Sequence, residues 1–272
     1  MKIGVFLLGH SMEKGNLSEN RTKRARWIPP LSILGGLCIW EVLVRLSNYP
    51  PFILPAPSRI FTRFISASRT GLLWPNVWVS FYEVLLGLLI GTIAALAAGY
   101  FLAHSPIAEK ILFPYIVVSQ AVPLAAIAPL LIIWFGSGIR PKVFICALVV
   151  FFPLLINILV GYRELERNLS DLMTSMKAGR WARLRYLELP GTLPVLLGGL
   201  RISATLSVIG AVVGELSGAD AGLGYLINIA RGQYDTALVF VAVFMLMVIA
   251  LVLYGAVLFL EKKLLIWNEN GN

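Results

Sequence analysis

The sequence predicts an all-α polytopic membrane bundle of six transmembrane helices, and three observations carry that prediction. First, 58% of the 272 residues are hydrophobic and only 14% are charged, whereas a soluble domain has about 45–50% apolar and about 25% charged residues. Second, six apolar segments, roughly 28–46, 80–103, 111–136, 142–162, 193–216 and 237–260, are each long enough to cross a hydrocarbon layer that needs about 20 residues. Third, with both termini inside, 16 of the 23 Lys and Arg residues fall on the inner side and 7 on the outer, the bias of cytoplasmic loops. The chain then divides into a cytoplasmic tail over 1–27, a membrane domain over 28–265 and a short cytoplasmic tail over 266–272. The net charge of +9 belongs to solvated loops, with no role for nucleic acid.

Each element has its own signature. Met1–His10 is apolar but lacks a small-residue cleavage site and leads into Lys14, Arg21, Lys23, Arg24 and Arg26, which predicts a retained tail. In the first span, Glu41 and Arg45 sit four apart near one end, the spacing of a local ion pair. Pro50, Pro51, Pro55 and Pro57 then fix an extended or turn-rich entry. Ile60, Phe61, Phe64 and Ile65 recur at helical spacing among arginines, an amphipathic helix that lies in the outer interface or packs on the bundle. The third span carries Ser119, Gln120, Pro123 and Pro129. Its two prolines free backbone carbonyls, either in a kinked packing helix or in one that lines a pathway. In the fifth span Gly210 and Gly214 permit close helix approach. Glu215 falls near its outer end, either solvated or turned toward an outer partner.

What the spans lack narrows the function. Residues 84–103, 111–139, 143–162, 202–214 and 236–260 contain no Asp, Glu, Lys or Arg, while ion-coupled carriers place such groups in midmembrane. Cys38 and Cys146 lie in apolar runs, and His10 and His104 are isolated, so no metal site and no nucleophile–histidine pair emerges. No G-x-x-x-x-G-K-[ST] phosphate cradle occurs. The chain reads as no enzyme; if it transports, the energy comes from elsewhere. A secondary carrier and a scaffold without transport are the alternatives.

The stretch from Arg163 to Pro190 is the strongest positive feature. Leu165, Leu169, Leu172, Met173 and Met176 share one helical face opposite Glu164, Arg167 and Asp171. Lys177-Ala-Gly-Arg180 breaks the pattern, and Trp181, Leu184 and Leu187 begin a second short helix expected to end at Leu189-Pro190. Such a pair either docks in a groove on a soluble partner or folds back on the bundle.

This loop resembles the cytoplasmic EAA coupling loop of ABC importer permeases, whose pattern runs Glu-Ala-Ala, three residues, Gly, nine residues, Ile, one residue, Leu-Pro. Anchored on Leu189-Pro190, Leu187 takes the Ile place, Lys177 the Gly place, and Asp171-Leu172-Met173 the Glu-Ala-Ala place. Asp replaces Glu, the alanines are missing, and Gly179 comes two residues late. Leu54-Pro-Ala-Pro57, Ala128-Pro through Trp134-Phe-Gly136, Phe151-Phe-Pro153 with Asn157, Gly199-Leu-Arg201, Gly214-Glu215-Leu and Gly222-Leu-Gly224 are similar to the nitrate/sulfonate/taurine-type branch.

The resemblance implies an inner-membrane permease that works as a pair, most simply a homodimer, with an ABC ATPase dimer and an extracytoplasmic substrate-binding protein. ATP would be bound by the partner, and this chain would hold no cofactor. The match assigns coupling to Asp171, Met173, Met176, Lys177, Gly179 and Pro190, the substrate pathway to Gln120, Pro123 and Pro129, and the binding-protein side to Glu215. Gln120-Ala-Val-Pro123, with Trp267 after the last span, resembles the sub-branch serving vitamins and their precursors, such as riboflavin or the pyrimidine half of thiamine. Sulfonate-type members of the branch usually have Arg-x-Ile-Pro there; the alternative cargo is an alkanesulfonate, taurine or nitrate. A neutral amide suits a flat hydrogen-bonding heterocycle, as a cationic Arg suits an oxyanion.

Overall fold

The computed structural model describes residues 31–47, 49–165 and 167–265, and the regular elements among them are helical. The predicted tails, positions 28–30 of the first span and Trp267 lie outside the described residues. The chain divides into two units after Arg63.

The first unit holds helix α1 (31–46) and the start of α2 (Pro57–Arg69). The predicted Glu41–Arg45 pair forms, with Arg45 Nε donating to Glu41 Oε1 at 2.7 Å. The same carboxylate accepts the Ser58 N–H at 3.0 Å and the Ser58 hydroxyl at 2.8 Å. Glu41 therefore caps the first turn of α2, where free N–H groups and the helix dipole favour an anion. Pro57 opens that helix at the position where a missing N–H costs nothing.

The second unit is built on α3 (Leu73–Ala103), α6 (Ile139–Arg163) and α9 (Leu189–Leu216). Small residues bring these three together. A β-carbon on Gly87 would fall 2.1 Å from Cys146 Cβ, and one on Gly91 2.6 Å from the Ala147 carbonyl oxygen. Contacts advance together along α3 and α6, from Gly87 with Cys146 to Gly99 with Ile158, so those helices run parallel. Along α9 they run backwards, from Gly199 with Asn157 to Gly214 with Lys142, so α9 is antiparallel to α6. Backbone approach of this kind replaces the hydrophobic drive that lipid surroundings remove. Helix α11 (Thr236–Leu264) packs on α9 and on α10 (Leu223–Gly232), and Asp235 caps it by accepting the Leu238 N–H at 3.0 Å. Arg201 of α9 reaches Glu261 of α11 at 3.1 Å.

Among the described residues four helices are long and apolar enough to cross a membrane: α3, the run Arg180–Leu216, α6 and α11. The expected third span is instead two helices, α4 (Pro106–Ser119) and α5 (Leu124–Phe135), bent by 98°. Counting them as one gives five. Two boundaries and one added helix differ from expectation for physical reasons. Helix α3 starts at Leu73, not at 80, because Asn76, Ser80 and Glu83 point inward and are buried. The second helix of the 163–190 loop does not end at Pro190. It begins as α8 (Arg180–Arg183), widens into a π turn over Leu184–Glu188 and continues into α9. The wider turn sends the Leu189 N–H to the Leu184 carbonyl, which lets the helix run on through proline. Helix α10 is an addition, since ten residues ending in Arg-Gly give little periodic signal.

Replacing Gly87 by leucine is expected to lower the stability of the detergent-solubilised protein by about 1–3 kcal/mol or more through overpacking. Gly255→Ala, with nothing within 4 Å, should leave it unchanged. Thermal unfolding of the two variants side by side checks this.

Candidate functional site

Three places in the second unit concentrate chemistry. The first is the break between α4 and α5. Tight turns close α4, with the Ala121 N–H bonded to Val118 O at 3.0 Å and the Val122 N–H to Ser119 O at 3.3 Å. Pro123 is extended, with ψ of 106°, and the Ala126 N–H returns to its carbonyl at 2.9 Å. Beside the break lies a cavity of about 350 Å³, lined by Ser119, Gln120, Val122, Leu124, Phe152 and Leu206 among others. The Ser119 hydroxyl already donates to Ile116 O at 2.7 Å, so the Gln120 amide is the polar group the wall can offer a ligand. Pro123 makes the corner but does not line the cavity, and Pro129 sits further along α5 with its ring exposed. Of the three predicted pathway residues, the structure brings only Gln120 to the cavity wall.

The second place is a buried charge cluster at the end of the bundle where α3 and α6 begin and α9 ends. Lys142 donates to Glu83 Oε1 at 2.6 Å, and its ammonium lies 3.4 Å from the Ala221 carbonyl. Glu215 accepts the Ser80 hydroxyl at 2.6 Å and the Gly224 N–H. Ser80 in turn accepts the Leu223 N–H at 2.7 Å, and Asn76 accepts the Gly222 N–H at 2.8 Å. Glu83 and Glu215 are fully buried side by side. Two glycines make the room: a β-carbon on Gly222, whose φ is 118°, would sit 2.3 Å from the Glu215 carboxyl carbon, and one on Gly224 2.7 Å from Glu215 Cβ. The side chain expected to face a partner or solvent is thus enclosed, and it holds the 217–224 loop against α3. Sequence reasoning missed Glu83, Lys142, Ser80 and Asn76. The one available signal was that all three charges stand just outside the charge-free runs.

The third place is the 163–190 loop. Helix α7 (Arg167–Ser175) carries Leu169, Leu172 and Met176 at 44%, 56% and 70% exposure, and Trp181 beyond it is 71% exposed. This stripe does not fold back on the bundle as a whole, although Leu165 packs against Gly191 and Met173 is half-buried. Asp171, Lys177 and Gly179 are exposed, while Met173 and Pro190 are half-buried. Lys177 has φ of 50° and ends α7, with the Ala178 N–H reaching Met173 O at 3.0 Å and the Lys177 N–H reaching Thr174 O at 3.0 Å. That left-handed helix terminus is where glycine is favoured, which gives a physical reason for a glycine in the EAA pattern at this place. Gly179, two residues later, is extended with φ of −66°.

The second unit is thus a helical bundle with a charge-poor cavity at a broken helix and a loop that presents an apolar stripe. The chain belongs to the family described as binding-protein-dependent transport system inner membrane component, whose model matches residues 87–266. It is 44% identical over 241 residues to the riboflavin transport system permease protein RibX of Chloroflexus aurantiacus, covering 89% of this chain and 90% of that one. It is 33% identical to the formylaminopyrimidine transport permease protein ThiX of Halalkalibacterium halodurans, over 89% and 96% of the two chains. With the putative aliphatic sulfonates transport permease protein SsuC of Bacillus subtilis it shares 31% identity, over 96% of each. The fold is similar to that of a chain in inward-facing structures of the MetNI methionine ABC transporter, with a TM-score of 0.64 at 16% identity, covering 72% of this chain and 97% of that one. The chain is a permease subunit of an ABC importer, and its relatives are transport proteins, not enzymes.

Lys142→Met should cost about 3–5 kcal/mol, because it leaves buried carboxylates without their cation. Adding Glu83→Gln should recover part of that loss, a non-additivity read from the unfolding midpoints of the two single variants and the double.

Proposed function

We propose that this chain is the transmembrane subunit of an importer that moves a vitamin or vitamin precursor, riboflavin being the first candidate, at the expense of ATP hydrolysed by a partner ATPase dimer. The observation that carries the substrate reading is Gln120: a neutral amide at the lip of an otherwise apolar cavity, in a chain 44% identical to a riboflavin permease. Flat heterocycles offer ring edges to an amide and ring faces to apolar walls, and Phe152 is part of that wall. Sulfonate-type relatives at 31% identity supply the second reading, in which the same architecture carries an alkanesulfonate, taurine or nitrate.

The membrane domain spans 28–265 six times in this reading, with α1 as the first crossing and the α4–α5 pair as the third. Both termini and the 163–190 loop lie in the cytoplasm, in keeping with the Lys and Arg bias. A second copy supplies the other wall of the pathway, since Gln120, Pro123 and Pro129 are all exposed in a single chain. An extracytoplasmic binding protein delivers substrate at the opposite end, where Glu215 acts from within by holding the 217–224 loop in place. Asp171, Met173, Met176, Lys177 and Gly179 form the docking surface for the ATPase, and Pro190 lies where that surface joins α9. ATP is bound by the partner, and closure of its dimer rocks the bundles between inward- and outward-open forms.

Uptake of labelled riboflavin and hydroxymethylpyrimidine, set against an alkanesulfonate and nitrate, tests the substrate in cells expressing the chain with its ATPase and binding protein. Vitamin uptake that collapses on ATP depletion is expected. Gln120→Ala should reduce it about tenfold, the scale of one lost hydrogen bond to a bound polar group. Sulfonate or nitrate uptake by the wild type would overturn the vitamin reading. Met173→Asp should abolish uptake with membrane insertion intact, because a carboxylate enters an apolar docking face; undiminished uptake by that variant would remove the docking role.

A further inference from the structure

Where α3 ends, α4 begins and α9 emerges from the π turn, a second cavity of about 300 Å³ is lined by His104, Pro106, Tyr162, Arg180, Arg183 and Glu188. Unlike the cavity at Gln120 it is rich in charge. Glu188 sits on the π turn and is only 2% exposed. Its Oε1 lies 3.2 Å from Arg183 Nε and 3.4 Å from His104 Nε2. Arg183 also donates through Nη2 to the Ser170 hydroxyl on α7. His104 places Nδ1 2.9 Å from the Tyr100 carbonyl, an acceptor only, so Nδ1 carries a hydrogen; Nε2 lies 3.1 Å from Tyr162 OH and is the ion-pair partner of Glu188 in the protonated ring. One carboxylate thus meets the loop helices on one side and the α3–α4 corner on the other.

The position matters because α7 packs extensively on no other helix among the described residues. Among the described residues, a polar tie from α7 to the bundle runs Ser170–Arg183–Glu188–His104. From the corner the path continues mechanically: Arg163 at the end of α6 holds Glu109 of α4 at 2.9 Å and lies over the Phe113 ring at 4.8 Å. Helix α4 then leads directly to the break at Gln120.

We infer that Glu188 is a positioning residue for energy coupling: it converts displacement of the α7–α8 loop into displacement of the α3–α4 corner, and so of the broken helix that carries Gln120. The inference rests on the importer reading above. Ion pairs to a buried carboxylate are the contacts that join these elements, and Leu169, Leu172 and Met176 on α7 are exposed. Neutralising Glu188 leaves the docking surface untouched and slackens the connection behind it.

The test uses the complete complex, this chain with its ATPase and binding protein, in proteoliposomes. ATP hydrolysis and uptake are measured in the same vesicles, with whichever of labelled riboflavin, hydroxymethylpyrimidine, alkanesulfonate or nitrate the wild type accumulates. Glu188→Gln is expected to lower uptake per ATP hydrolysed about tenfold, within the range of coupling between distant sites, while hydrolysis continues. His104→Ala, at a partly exposed position that does not threaten the fold, should lower the same ratio. The double variant should be no worse than the weaker single one, since both cut one chain. An unchanged ratio in either single variant would overturn the inference, as would uptake and hydrolysis falling together in an assembled complex. A wild-type complex that hydrolyses ATP but accumulates none of the four compounds would overturn the importer reading and this inference with it.

Discussion

The structure depends on the close seam where α3, α6 and α9 share backbone contact. Lipid tails are as apolar as leucine, so burying apolar side chains does little to hold membrane helices together. Here the hold comes from small residues: Gly87 and Gly91 admit α6, while Gly210 and Gly214 seat α9 on the same helix from its other side. Once three helices lie that close, their ends are fixed to within the reach of a side chain. Lys142 then has no choice but to meet Glu83, and Glu215 must turn toward Ser80. The ion pair follows from the seam, and the bonds of Glu215, Ser80 and Asn76 beside it anchor the 217–224 loop.

Much of the fold was legible because a membrane imposes a strong rule: long uncharged runs must become helices that satisfy their own backbone. Residues 142–162, 193–216 and 237–260 all lie within helices of the structure. The rule fails where polarity has another cause. Asn76, Ser80 and Glu83 look like loop residues, yet they are the polar face of α3 turned to partners 146, 143 and 59 residues away along the chain. No local periodicity carries that information. The two prolines act in opposite ways. Pro123 was expected to kink a span and in fact sits at a near right angle, whereas Pro190 was expected to stop a helix and is absorbed by a π turn.

The functional residues divide the same way. The apolar stripe of the loop was readable from spacing alone, and its exposure in the structure agrees with a surface kept for a partner. Lys177 in the glycine place looked like a departure from the EAA pattern. Its positive φ marks it as the residue that ends α7, so the pattern is kept in geometry while its usual residue is not. Glu188 was invisible because its meaning comes from His104 and Arg183, which the chain places on a different helix and a different turn.

Charge is distributed along the molecule in a way that fits an externally driven machine. Among the described residues, 84–103, 111–139, 143–162, 202–214 and 236–260 carry no ionised side chain, and the cavity beside the broken helix offers one amide. Charges gather instead at the two ends: Glu83, Lys142 and Glu215 at one, His104, Arg183 and Glu188 at the other. An ion-coupled carrier needs the reverse arrangement, with its titratable groups where substrate passes. Here the terminal clusters fasten loops to helices, and the middle is left smooth and bent. Such a bundle can hold a neutral ligand weakly and change shape around it. In the importer reading the force enters through the exposed stripe on α7 and leaves through the contacts that stand behind it.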